Sequence, residues 1–143
     1  MSLKEQLAKR IPQIRDEIKN LVKTYGDKEV STVTVTQIYG GMRGVKGLIC
    51  DTSLVEPDKG LIIRGKPIGE LTDRLPEEIF YLLCTGELPD AGELADLQNE
   101  YKNRAGVPQY VWDVLAAMPK DSHPMAMLDT GILVMQRESE FKK

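Results

Sequence analysis

Tyr39-Gly40-Gly41-Met42-Arg43-Gly44-Val45-Lys46-Gly47 sets four glycines and two cations within nine residues, directly ahead of an apolar stretch with strand character. Glycine turns can bring backbone N–H groups close to an anion, and Arg43 and Lys46 would add charge-assisted hydrogen bonds to the same group. A glycine-rich turn before a strand is also a common tight bend, so the residues alone leave ligand loop and plain turn side by side. In either case the run divides the chain, with an amphipathic helix well ahead of it and several helices beyond.

Toward the start, Leu3, Leu7, Ile11, Ile14, Ile18, Leu21 or Val22 and Tyr25 recur at steps of three and four, which predicts one helical stripe stopped at Gly26. Pro12 removes a backbone donor, so a kink or restart is expected there. Val30 to Val35 alternates Val with Thr or Ser and reads as a short strand or extended segment. After the glycine run, Leu48 to Val55 and Leu61 to Arg64 flank Glu56-Pro57-Asp58-Lys59-Gly60, which predicts a β-hairpin near residues 48–64. Beyond Pro67 the punctuation is helical. Pro76-Glu77-Glu78 opens one helix and Gly86 closes it, Asp90 caps the next, and Pro108 to Met118 forms a third. Asp121-Ser122-His123 leads into a fourth, with Met125, Leu128, Ile132 and Met135 as its buried series. This last helix meets no Gly, Asn or Pro stop before Phe141-Lys142-Lys143.

The resulting fold class is mainly α with one small hairpin, read as a single unit over 1–143. A helix covers 1–26, extended segments and the hairpin cover 30–67, and a helical part covers 76–143. A chain of 143 residues with 41% hydrophobic and 29% charged residues is long enough to bury a core, roughly 70% of its unfolded surface. The net charge of -3 and 6% aromatic content exclude a nucleic-acid groove. No run approaches the ~20 apolar residues of a membrane span, so no membrane partner is expected. Glu5, Asp16 and Glu17 are foreign to a transit peptide, and bacterial cytoplasm is the expected location. Cys50 and Cys84 lie far apart without His or Cys partners, which predicts free thiols and no metal site.

Other residues invite chemical readings that fail on inspection. Gly60-Leu61-Ile62-Ile63-Arg64-Gly65-Lys66 approaches a nucleotide-binding loop, yet Pro67 stands where a magnesium-holding Ser or Thr belongs and the interior is strand-like. His123, with Asp121 and Ser122, is too compressed in sequence for a nucleophile triad and suits a cap or loop. Glu77 and Glu78 suit a helix N-terminus, and Glu138 and Glu140 a solvated face. The methionines suit adaptable core filling, and Trp112 a core or an interface.

Read with Leu48 to Ser53, Glu56 to Gly60, Arg64-Gly65, Leu75-Pro76-Glu77-Glu78, Thr85-Gly86-Glu87-Leu88-Pro89, His123-Pro124-Met125 and Arg137-Glu138-Ser139, the glycine run resembles citrate synthases of the eukaryotic, mitochondrial-type branch. The resemblance implies a helical citrate-synthase-like fragment corresponding to the leading third of that family's polypeptide. The family condenses acetyl-CoA with oxaloacetate, works as a homo-oligomer on small-molecule substrates, and holds no permanent cofactor. Its histidine and aspartate proton-transfer groups fall in the portion beyond this chain, so the resemblance implies no catalytic residue here. It does assign Arg43, which matches a family arginine that contacts CoA phosphate, with Gly41 and Gly44 shaping the loop. A second reading is a noncatalytic helical module that self-associates or binds the missing portion.

Overall fold

The computed structural model describes residues 2–140 and divides into two compact units, Met1–Asn99 and Glu100–Lys143. The last helix, expected to run unstopped toward Phe141-Lys142-Lys143, instead ends at Val134 in a 3₁₀ turn over Met135–Glu138, and residues 141–143 lie outside the described residues.

The first unit opens with α1, Leu3–Tyr25. Ser2 Oγ accepts the Glu5 N–H at 3.3 Å while the Glu5 carboxylate accepts the Ser2 N–H at 3.0 Å, a reciprocal cap for two orphan donors. The helix runs through Pro12 as one uninterrupted element, so the expected restart does not occur. Its apolar stripe is not covered, and none of its residues is buried.

Residues 28–34 carry no strand pairing, and Val35 instead begins a second helix, α2, Val35–Tyr39. The expected strand over 30–35 gives way for a local reason. Thr34 Oγ1 accepts the Gln37 N–H at 3.3 Å and Gln37 Oε1 accepts the Thr34 N–H at 3.0 Å, so a capping box outweighs the β-propensity of residues with no ladder to join.

The hairpin forms as expected but later and larger. β1 (Ser53–Glu56) pairs antiparallel with β2 (Gly60–Ile63), from Ser53 opposite Ile63 to Glu56 opposite Gly60. Pairing starts at Ser53 rather than Leu48, because Leu48 and Ile49 face solvent with no strand beside them. A short β3 (Lys66–Pro67) adds to the other edge, so the sheet has three strands in the order β1-β2-β3. Arg64 and Gly65 make the two-residue β2–β3 turn with φ of 47° and 79°, the positive pair that a tight hairpin of this twist requires.

After a 3₁₀ turn at Ile68–Glu70 comes α3, Pro76–Thr85, with Pro76 in its first turn and Gly86 at φ 83° ending it. Glu78 turns back to accept the Leu75 N–H at 2.8 Å and pairs with Arg74 at 3.1 Å. Leu82 is fully buried, and with Ile63 and Leu71 it forms the core against which Leu61, Ile79, Leu83 and Leu88 pack. Asp90 caps α4 (Ala91–Arg104) as expected, accepting the Glu93 N–H at 2.8 Å.

The second unit holds α5 (Gln109–Ala117), α6 (Pro124–Val134) and a 3₁₀ turn at Met135–Glu138. Gly131 is buried against α5, where a Cβ would make ordinary contacts, 3.7 Å from Leu115 Cδ1 and 3.9 Å from Val111 Cγ1. This reverses the expected face of α6. Met125, Leu128 and Ile132 are 53–60% exposed, and the side with Met127, Thr130 and Gly131 turns inward. Among the described residues no helix is long and apolar enough to cross a membrane.

Because Leu82 has no solvent contact, Leu82→Ala is expected to lower unfolding free energy by about 3 kcal/mol in urea titration, whereas Val55→Thr on the exposed face of β1 should stay within about 0.5 kcal/mol.

Candidate functional site

The glycine run leaves α2 as a loop in which Gly41, Met42 and Gly44 all take positive φ, at 74°, 61° and 76°. Glycine adopts this region freely, whereas Met42 is there against its own preference. Gln37 supplies the reason. Its carbonyl accepts the Met42 N–H at 2.7 Å, and its side-chain amide donates to the Arg43 carbonyl at 3.3 Å. The residue that caps α2 therefore also folds the loop back on the helix. Sequence reading missed Gln37, although the Thr34–Gln37 spacing of a capping box was visible.

The loop's hydrogen bonds revise its chemistry. The Gly40 N–H donates to the Thr36 carbonyl at 2.9 Å and the Val45 N–H to the Met42 carbonyl at 3.1 Å, so together with Met42 three of its amides are spent internally. The amides of Gly40, Met42 and Val45 are thus closed to a phosphate, while no backbone bond occupies those of Gly41, Arg43, Gly44 and Gly47, so an anion here would meet the Arg43 and Lys46 side chains together with part of the loop backbone. Arg43 and Lys46 are exposed. Beside Lys46 is an open hollow of ≈ 720 Å³, lined by Val30, Val45, Lys46, Gly47, Leu48 and Ile49, which offers an apolar wall next to a cation.

The chain then reaches Cys50 and Asp51. Cys50 Sγ lies 3.3 Å from Thr52 Oγ1 and 3.9 Å from Ser53 Oγ, and donates to the Ser53 carbonyl at 3.5 Å. The Thr52 hydroxyl first, and then the Ser53 and Thr52 backbone, favour the thiolate and bring this thiol down to about 7. Cys84 moves the other way, raised by burial against a smaller opposing pull from Arg64. Asp51 pairs with Arg64 at 2.9 Å, and Arg64 reaches across to the Leu83 carbonyl with Nε at 3.0 Å and Nη2 at 2.7 Å. Both cysteines are free thiols, as expected.

The remaining candidates take structural posts. His123 is the N-cap of α6, its Nδ1 accepting the Met125 N–H at 3.2 Å. Glu78 caps α3, and Glu138 accepts the Tyr110 hydroxyl at 3.2 Å. Gly60 to Lys66 is β2, its turn and the first residue of β3, not a phosphate loop. Among the described residues no group of three or more His, Cys, Asp or Glu side chains is arranged to hold a metal ion.

Residues 41–143 match a family model described as citrate synthase, C-terminal domain. The chain is 36% identical to citrate synthase 4, mitochondrial, of Arabidopsis thaliana, over 100% of its own length and 32% of that protein's. It is 37% identical to the mitochondrial citrate synthase of Saccharomyces cerevisiae over 99% of its length and 32% of the relative, and 39% identical to that of Tetrahymena thermophila over 99% and 34%. The chain thus spans about a third of the length of the curated relatives it matches. Their names correct the expected cytoplasmic location, since all three relatives are mitochondrial. The acids on which that expectation rested belong to the folded helix α1, where Glu5 caps the first turn and Asp16 pairs with Lys19, so they report on a helix and not on an address.

Alkylation by iodoacetamide should modify Cys50 before Cys84, with a Cys50 rate that rises through pH about 7 because the thiolate is the nucleophile. Thr52→Val should move that midpoint upward; a midpoint unchanged in peptide-mapped mass spectrometry would remove the hydroxyl from the account.

Proposed function

Because the chain belongs to the citrate synthase family, we propose that it is the leading portion of an acyltransferase that condenses acetyl-CoA with oxaloacetate to give citrate and CoA, a step of the tricarboxylic acid cycle. Similarity that runs the full length of the chain, at 36–39% identity with three synthases, is the observation that carries this reading. The order of the motifs, from α1 through the glycine run to His123-Pro124-Met125, supports the leading position.

The reaction needs a base to take a methyl proton from the thioester, a donor to hold the enolate oxygen, and cations for a dicarboxylate. The sole histidine, His123, uses its Nδ1 to cap α6. The 143-residue chain by itself is therefore inactive, and the proton-transfer groups belong to the remainder of the synthase. What this portion contributes to the substrate is Arg43. Its exposed guanidinium stands on a turn fixed by the bonds of Gly40, Met42 and Val45 and by the Gln37 side chain, so a CoA phosphate is held by this side chain above that turn. CoA enters as substrate, not as a resident cofactor. The working enzyme is a homo-oligomer, and the apolar faces left open on α1 and α6 support burial against further protein.

Thiol release from acetyl-CoA with oxaloacetate should stay at background for the 143-residue chain and appear in the product of a reading frame of family length; release by the short chain that depends on both substrates would end the reading. In the long product, Arg43→Gln should raise KM for acetyl-CoA about tenfold with kcat nearly unchanged, the loss of one charge-assisted bond of ~1.5 kcal/mol. An unchanged KM would free Arg43 of the role.

A further inference from the structure

Gln37 holds the third position of α2, where its Oε1 accepts the Thr34 N–H at 3.0 Å and the Thr34 hydroxyl at 3.2 Å. A carboxylate would close that capping box equally well. What a carboxylate lacks is a donor, and here the other half of the amide is in use. Its Nε2 donates to the Arg43 carbonyl at 3.3 Å and lies 3.9 Å from where a Cβ on Gly44 would stand. One orientation of the amide serves both ends, since the Thr34 N–H must meet oxygen and the Arg43 carbonyl must meet nitrogen. Gln37 is half-buried, while the other residues of α2 are exposed.

The backbone of Gln37 grips the same turn, its carbonyl accepting the Met42 N–H at 2.7 Å. Between that amide and the Arg43 carbonyl lie the φ and ψ angles of Met42 and Arg43, so one residue holds both ends of the segment from which the Arg43 side chain projects. Such a grip is needed. Met42 sits at φ 61°, a region that a side-chain-bearing residue enters only at a cost, and Gly41 and Gly44 on either side can leave their own angles freely. Without the side-chain bond the turn keeps one anchor of two, and the Arg43 guanidinium samples other placements.

We propose that Gln37 is a positioning residue for the substrate's phosphate: its amide couples the cap of α2 to the Arg43 turn and keeps the guanidinium presented. The inference rests on the Arg43 reading above and adds the residue on which that contact depends. A ligand that binds only the held turn has its affinity reduced by the fraction of molecules in which the turn is held, so loss of the amide weakens thioester binding and leaves the chemical step alone.

In the family-length product, Gln37→Met, of similar length but without an amide, should raise KM for acetyl-CoA about threefold while kcat and KM for oxaloacetate stay unchanged. Gln37→Glu keeps the acceptor for Thr34 and loses only the donor, so it should give the same rise and provides the reading if Gln37→Met fails to fold. Combined with Arg43→Gln, either variant should add little: the double should stay near the tenfold of Arg43→Gln alone, against the roughly thirtyfold of two independent sites. This comparison also separates positioning from the new charge of Gln37→Glu, whose repulsion of a phosphate would persist without Arg43. If Arg43→Gln raises KM and the Gln37 variants do not, this inference is overturned and the Arg43 reading stands; if Arg43→Gln has no effect, both are overturned. A double variant near thirtyfold overturns this inference alone, as does a fall in kcat or a matching rise in KM for oxaloacetate, because Gln37 then acts by some route other than Arg43.

Discussion

The C-terminal carbonyls of α3 are the point on which the first unit converges. A helix ends with orphan acceptors and a partial negative charge. Here two guanidinium groups from distant parts of the chain meet them, Arg10 from α1 at the Thr85 carbonyl and Arg64 from the β2–β3 turn at the Leu83 carbonyl. Thr85 Oγ1 takes part as well, donating to the Tyr81 carbonyl at 2.8 Å. Hydrogen bonds from charged donors are worth roughly 1.5–3 kcal/mol each, which is enough to offset the roughly 1–2 kcal/mol cost of holding Arg64 at positive φ. One helix end therefore positions the amino-terminal helix and the sheet together. Through Asp51, Arg64 extends that order to the segment leaving the glycine run.

Elements with their own punctuation were legible before any coordinates. The Glu56-to-Gly60 turn, Pro76 with its two acids, and Asp90 all appear where their chemistry places them. What escaped depended on partners. β3 exists because Arg64-Gly65 folds a two-residue pair onto β2, and two residues have no periodicity to detect. α2 is five residues long and rests on one Thr–Gln cap, while its Val and Thr content points toward a strand. On α6 nearly every side is apolar, so spacing could not choose a face; the side with Gly131 packs on Leu115 and Val111 of α5.

The site was visible as composition and hidden as bonding. Glycines and cations in the 40–47 run identify a turn that can meet an anion, and the positive φ angles at Gly41 and Gly44 agree. Which amides are already spent, and that Gln37 spends one of them, follows only from the fold. The role proposed for this portion is accordingly that of holding a substrate. The exposed apolar residues on α1 and α6 fit a polypeptide that completes its burial against more protein.

The attachment of α1 by polar bonds at its first turns, with none of its residues buried, sets an order of release. Little apolar surface is exposed when it lifts away, so its departure depends only weakly on denaturant, while the Leu82 core is lost only with the whole unit. Helix α1 thus forms a foldon of low opening energy, whose amides exchange with solvent through subglobal excursions that the sheet and α3 do not share.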